Sequence, residues 1–288
     1  FGYIEPDASG IRTYRSMTDR FPSAMEITKS FAADTSKIDD TPPSERTIGE
    51  INSLVMRAST GYFMGRGTLI IYNTLIDSLY YVNLRKLGFW QSERIYRIKD
   101  KVIIANNIKG LFELRENSIT QLPGGDFFGY KMCLAMLPYD DNRVIVGTLS
   151  NGVFLYDFSS GVVDGNFIDQ GFSRKAHDLY IYCGTNLPMG EFALGTTSDG
   201  VYIFNRNGKL TGHYTSSSID MEDDIVTALY SDPDLTSELW ISVTGSITKA
   251  YVNLPFTSFL QKSGISGSVN NMTTFNERIY VATDKGLF

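Results

Sequence analysis

The sequence predicts an all-β fold, a β-propeller of four-stranded blades, and three observations predict it. One phrase recurs along the chain: an apolar strand, a short turn with glycine, and a second strand ending in an aromatic. The copies succeed one another at intervals of 40 to 57 residues, the span of a four-stranded propeller blade. The composition leans the same way, because the 17 Tyr and 18 Phe of this 288-residue chain, like its Val, Ile and Thr, suit pleated, half-buried surfaces.

The copies read GYFMGRGTLIIY (61–72), KVIIANNIKGLFEL (101–114), RVIVGTLSNGVFLY (143–156), EFALGTTSDGVYIF (191–204), LWISVTGSITKAY (239–251) and RIYVATDKGLF (278–288). A seventh and weaker copy, FGYIEPDASGIRTY, opens the chain at 1–14. Gly10, Gly67, Gly110, Gly152, Gly200 and Gly286 anchor the turns, and in the remaining copy Ser246 takes that place beside Gly245. Turns such as LSNG and TSDG carry the Asn-Gly and Asp-Gly pairs that tight hairpins need.

The other strands of each unit flank the phrase. INSLVM (51–56), RIYRI (94–98), KMCLAML (131–137), DLYIYCG (178–184), IVTALY (225–230) and VNNMTTF (269–275) precede it as innermost strands. SLYYVNL (78–84), SITQLP (118–123), GNFIDQG (165–171), LTGHYTS (210–216) and SFLQKS (258–263) follow it as edge strands. Residues 18–48 are polar, carry Pro42-Pro43 and read as a loop or insertion between the first two blades. Both ends of the chain carry the same middle strands of a blade. The expectation is therefore one propeller domain over 1–288, seven-bladed, incomplete at both ends and a fragment of a longer chain.

The net charge of −6, with no run of four basic residues, speaks against nucleic acid and anionic membrane surfaces as partners. No stretch approaches the roughly 18 apolar residues of a membrane span, so membrane contact would come only through segments absent from this chain. Cys133 and Cys183 are too few for a disulfide scaffold and lack zinc spacing; they are either one bridge or two buried thiols.

RVIVGTLSNGVFLYD and RIYVATDKGLF resemble the propeller repeat of bacterial two-component-regulator sensors. ELWISVTG matches that repeat well, whereas GYFMGRGTLIIY and KVIIANNIKGLFEL are looser. The opening FGYIEPDASGIRTYRSM resembles the subset in which a triple-tyrosine module follows the propeller. The resemblance implies a periplasmic, extracytoplasmic input domain joined by a transmembrane helix to a histidine kinase or a helix-turn-helix output. It carries no fixed ligand motif.

The only histidines, His177 and His213, lie in different repeats, and no Ser–His–Asp set or phosphate loop is present. The pairs Asp39-Asp40, Asp140-Asp141 and Asp223-Asp224 lack the spacing of a calcium loop and read as turn residues. No cofactor and no metal are expected. Trp240, inside ELWISV, is expected in the core, and Trp90, after KLGF, on a functional surface. Segments leading into the innermost strands share one propeller face. They bring forward Trp90, Arg94, Phe127, Phe128, Tyr130, Arg174, His177, Asp178, Asp223 and Asn270, with Asp224 and Asn271 beside the last two. Such rings and polar groups suit a polar small molecule, an oligosaccharide among them.

The leading expectation is a non-catalytic ligand-sensing propeller of a bacterial membrane-bound regulator, homodimeric by analogy with signalling receptors. A protein-interaction scaffold is the second reading. A propeller enzyme, such as a polysaccharide lyase or a quinone-dependent dehydrogenase, is the third, since fold alone does not decide chemistry.

Overall fold

Strand-forming runs and turn glycines alternate along the chain, and the computed structural model pairs them as antiparallel meanders. It describes residues 2–6, 12–16, 51–89, 93–115, 118–232, 238–252, 264–275 and 278–288. These fall into two compact units, Phe1–Ile181 and Tyr182–Phe288.

The first unit opens with the hairpin β1 (Gly2–Pro6) and β2 (Arg12–Ser16). Three four-stranded sheets follow, each ordered as its strands occur in the chain. They are β3 (Ile51–Arg57), β4 (Thr60–Gly65), β5 (Thr68–Asn73) and β6 (Ser78–Asn83); β7 (Arg94–Ile98), β8 (Lys101–Asn106), β9 (Gly110–Arg115) and β10 (Ser118–Gln121); and β11 (Cys133–Pro138), β12 (Arg143–Thr148), β13 (Val153–Asp157) and β14 (Val163–Asp164). Helix α1 (Gln170–Leu179) ends this unit.

The second unit takes up β15 (Ile181–Asn186), β16 (Phe192–Thr196), β17 (Val201–Phe204) and β18 (Leu210–Tyr214). Two three-stranded sheets complete it: β19 (Val226–Tyr230), β20 (Glu238–Val243) and β21 (Ser246–Tyr251), then β22 (Val269–Phe275), β23 (Arg278–Thr283) and β24 (Gly286–Leu287). This meander, repeated sheet after sheet, is the blade of a β-propeller, as the sequence predicts. Gly10, the 18–48 insertion and the expected edge strand at 258–263 lie outside the described residues.

Three expectations are corrected. GNFIDQG does not form an edge strand: only Val163 and Asp164 pair with β13, and the chain then turns into α1. The Asp169 side chain accepts hydrogen bonds from the N–H groups of Gly171 and Phe172, capping the helix. Phe172, Ala176 and Leu179 repeat at helical spacing and are buried. For the same reason the strand expected from Asp178 starts at Ile181, after Tyr180 has taken a left-handed φ of 51°. Trp240 is not core but 41% exposed, because strand alternation turns Leu239, Ile241 and Val243 inward and Trp240 to the other face. Both cysteines are free thiols, and burial pushes that of Cys133 up to about 12.

Packing follows from the same alternation. On β8, Ile103 enters one core with Met136, Val144, Val146 and Tyr156 of the next sheet. Its neighbour Ile104 enters another with Met64, Leu69 and Ile71 of the preceding sheet. In the second unit, Ala193, Val201 and Ile203 pack on Val226, Leu239, Ile241 and Val243. Each such fully buried side chain contributes about 1.5–3 kcal/mol. Side chains also stitch the first strands of neighbouring sheets: the Ile95 N–H donates to Ser53 Oγ at 3.0 Å, and the Tyr96 hydroxyl donates to the Cys133 carbonyl at 2.8 Å.

The hairpins repeat one device. Thr148 Oγ1 donates to the Gly152 carbonyl at 2.8 Å and accepts from the Asn151 N–H at 3.0 Å. Thr196 does the same with Gly200 and Asp199, each at 3.0 Å. On β8 the position is Asn106, whose Oδ1 accepts from the N–H groups of Ile108 and Lys109. Gly110 closes that turn at φ +92°, and a Cβ there would lie 1.9 Å from the Gly125 carbonyl oxygen. Gly152 has φ +96° but open space around it.

These two glycines separate backbone conformation from close approach. We expect Gly152→Ala to cost about 1–2 kcal/mol from its φ alone. Gly110→Ala, which adds a clash with backbone, is expected to cost roughly 3 kcal/mol or more in chemical denaturation. Equal losses would show that the contact with Gly125 does not hold the two segments together.

A second test concerns the turn after β13. The Ser159 hydroxyl and N–H, with the Ser160 N–H, all donate to Asp157 Oδ1 and hold its carboxyl down at about 2. In the unfolded chain the group returns to about 3.9. The folded pKa is the lower one, so its stabilisation is present above pH about 4 and lost as pH falls through about 2. Asp157→Asn should therefore flatten the fall in denaturation midpoint between pH 5 and pH 2, measured against the parent chain.

Candidate ligand-binding face

In each unit the segments that lead into a first strand lie against the turns between second and third strands. In the first unit, Glu93 is wholly buried and its carboxylate accepts from the Gly67 N–H and from Asn106 Nδ2, both at 3.1 Å. It ties two hairpins of neighbouring sheets together, and these hydrogen bonds offset the cost of burying a carboxylate. The Tyr130 N–H donates to the Asn107 carbonyl at 2.7 Å, and the Leu149 N–H donates to the Met132 carbonyl at 2.8 Å. His177 Nδ1 lies 2.6 Å from the Ser150 carbonyl, so Nδ1 carries the proton it donates there.

The 122–132 connection holds the aromatic part of this face. A 3-10 turn over Gly125–Phe128 follows Gly124, which has φ +63°. Phe128 is wholly buried; its ring meets those of Phe154 and Tyr156 edge-on at 5.9 and 5.4 Å. The Tyr156 hydroxyl donates to the Pro123 carbonyl at 2.6 Å, and burial raises its pKa. Phe128 is thus the root of the cluster, and Phe127 is its outer member. Phe127 is 40% exposed and packs on Phe154 at 5.2 Å. Lys131 Nζ donates to the Phe127 carbonyl at 2.6 Å and stands 4.3 Å from the centre of its ring.

Tyr130 stands apart from that packing. It is 81% exposed and sits at φ +59°, a left-handed conformation that costs a residue with a Cβ about 1–2 kcal/mol. A bulky exposed ring in a strained backbone is the kind of outlier that gathers at ligand sites.

Of the residues expected on this face, Arg94 starts β7, half-buried, with its charge near the Tyr96 hydroxyl. Arg174, His177 and Asp178 are exposed on α1, not on a loop. Trp90 lies outside the described residues. Lys131 and Lys109 were not singled out by the sequence, although Lys131 adjoins Tyr130 in the chain. Lys109 Nζ donates to the Leu87 carbonyl at 2.7 Å.

In the second unit the corresponding segment is acidic, and its carboxylates accept from backbone N–H groups. Asp223 Oδ1 accepts from the Ile225 N–H at 3.2 Å, and Asp224 Oδ1 from the Ser216 N–H at 2.6 Å. Asn270 is exposed on β22. His213 stacks on Tyr202 at 4.1 Å, with Nε2 2.8 Å from the Asp199 carbonyl, and the Tyr202 hydroxyl donates to the Asp199 carboxylate. Among the described residues, no three His, Cys, Asp or Glu side chains are grouped to hold a metal ion. Also among them, no helix is long and apolar enough to cross a membrane.

No protein-family model matches the chain, and no curated protein matches it in sequence. Solved structures do match it in shape. Two are extracellular domains of proteins from B. thetaiotaomicron described as hybrid two component systems. Each is 16% identical with a TM-score of 0.56, over 86% and 85% of this chain and 34% of the other. A third is the WD40 β-propeller domain of Doa1, 14% identical with a TM-score of 0.53, over 73% of this chain and 66% of that one. The chain spans about a third of the length of the extracellular domains it matches. At these identities the likeness shows the fold, which is that of the β-propellers.

The strain at Tyr130 can be measured directly. Tyr130→Gly removes the left-handed penalty and exchanges it for a looser unfolded chain, so we expect the melting midpoint to stay level or rise, by up to about 1 kcal/mol. A loss beyond about 1 kcal/mol would show that the ring supports the fold instead.

Proposed function

We propose that the chain is a non-catalytic, extracytoplasmic ligand-sensing domain of a bacterial signal-transduction or transcriptional regulator. The observation that carries this reading is the exposed Tyr130 ring at its strained φ, beside the partly exposed Phe127 and Lys131. The likeness in fold to extracellular domains of proteins described as hybrid two component systems supports the sensory and extracytoplasmic parts. Both histidines are engaged with backbone carbonyls, which favours binding over catalysis.

The ligand is a polar small molecule, and an oligosaccharide fits rings for stacking beside hydrogen-bonding groups. Binding acts on the output by favouring one of two arrangements of a homodimer, in proportion to the difference in its affinity for them. A transmembrane segment outside this chain conveys the change.

A scaffold for protein partners is the second reading. It is favoured by the exposed Met272, Phe275 and Ile279 on the β22–β24 sheet, at 64%, 64% and 56%.

Thermal melting against a panel of oligosaccharides and common metabolites separates the two. A ligand at 100 times its dissociation constant adds about 2.7 kcal/mol. We expect one ligand class to raise the midpoint, and Phe127→Ala or Tyr130→Ala to abolish the rise. Flat melts across the panel would turn the argument towards the scaffold.

A further inference from the structure

The chain holds two Asn-Gly pairs, Asn151-Gly152 and Asn207-Gly208. Such a pair can cyclise, because the glycine nitrogen can attack the asparagine side-chain carbonyl carbon with no Cβ of its own to hinder it. A backbone N–H that is already held by an acceptor has that hydrogen bond to lose before it reacts. The two pairs differ on this point. The Gly208 N–H donates to the Asn205 carbonyl at 2.9 Å, and the Asn207 N–H donates to Asn205 Oδ1 at 3.0 Å. Among the described residues the Gly152 N–H has no acceptor, and the exposed Asn151 side-chain amide has no partner either. Gly152 is itself buried, but the attack comes from within the pair, and where its Cβ would stand there is open space.

A second hairpin of the same build accounts for the difference. Thr148 and Thr196 hold residues Asn151 and Asp199 alike: each hydroxyl accepts that residue's N–H at 3.0 Å and donates to the carbonyl of the glycine that follows. In the Thr196 turn the connection that leads into β19 lies on the glycine, and the Gly200 N–H donates to the Asp224 carbonyl at 3.0 Å. In the Thr148 turn helix α1 stands in place of that connection. Its His177 meets the Ser150 carbonyl at 2.6 Å, and the Gly152 N–H is left without a partner among the described residues. The Thr196 turn also shows what such a turn accommodates, since its residue 199 is already an aspartate.

We infer that Asn151 is a site of spontaneous deamidation, which places a negative charge in the turn on which His177 rests. The Gly152 nitrogen bonds to Asn151 Cγ and gives up its proton. The bond from Cγ to the side-chain nitrogen breaks, and ammonia leaves. Water then opens the cyclic imide at either carbonyl. Opening at the side-chain carbonyl yields aspartate, and the turn becomes like that of Asp199. Opening at the main-chain carbonyl yields isoaspartate, whose main chain is longer by one methylene. That alters the spacing between the residue 151 N–H and the Gly152 carbonyl, both bound by Thr148 Oγ1. The inference stands apart from the sensory reading, although the turn belongs to the same face.

The test is peptide mapping by mass spectrometry of the folded chain held at mildly alkaline pH, with the chain in denaturant as the reference for each site. Dividing by the denatured rate removes the effect of the neighbouring residues. We expect the rate so normalised to be about fivefold or more higher at Asn151 than at Asn207, as the loss of one protecting hydrogen bond implies. Aspartate and isoaspartate peptides, which separate in chromatography, should both arise at residue 151. Asn151→Ser should remove the signal from that peptide. Asn151→Asp should fold with the melting midpoint of the parent, because the turn accepts the product. Equal normalised rates at the two sites would overturn the inference. So would an Asn151 that keeps its amide for as long as the denatured chain takes to lose it. A melting midpoint that falls well below the parent's in Asn151→Asp would overturn the claim that the turn accommodates the new charge.

Discussion

Ile103 and Ile104 are adjacent, both wholly buried, and serve two different cores. A strand that is apolar on both faces must be covered on both faces, and a single sheet cannot do that for itself. The β7–β10 sheet therefore lies between the β3–β6 and β11–β14 sheets, and the repeat is as much a rule about neighbours as about hairpins. Where alternation places an aromatic on the side away from the core, as at Trp240, the ring stays partly exposed despite its place in the middle of a strand.

Stacked sheets bring their hairpins and connections close together at one end, and the backbone there has to be satisfied locally. Thr148, Thr196 and Asn106 do this within their own turns. Glu93 does it between turns, accepting from Gly67 and Asn106 at the same time. Gly110 lets the 122–132 connection come down onto its hairpin with no Cβ between them. The candidate site is a product of these contacts: Tyr130 stands where it does because its N–H reaches Asn107, and Phe127 because Phe128 and Phe154 lie beneath it.

That arrangement separates two kinds of aromatic which the sequence writes alike. Phe127 and Phe128 are consecutive, but one is the outer member of an edge-on cluster and the other its buried root. Tyr130 has no such support and pays for its exposure in backbone strain, a cost that packing does not explain. Solved structures similar in fold span extracellular domains of proteins described as hybrid two component systems and a WD40 domain, so the chemistry of this face, not the architecture, decides between ligand and scaffold.

The strand order of the described sheets, β14 apart, was legible in the chain, since β-branched runs, turn glycines and Asn-Gly or Asp-Gly pairs act over a few residues and are written where they act. So was the general position of the candidate face, because it follows from blade topology, and Phe127, Tyr130, Arg174, His177 and Asp178 came forward on that ground. Helix α1 was also there to be read, in Asp169 and the spacing of Phe172, Ala176 and Leu179, but the expectation of a fourth strand outweighed it. The exposure of Trp240, the burial of Phe128 and the seating of Lys109 and Lys131 on the Leu87 and Phe127 carbonyls were not legible. Each depends on which residue from a distant segment lies opposite, and that is decided only when the sheets stack.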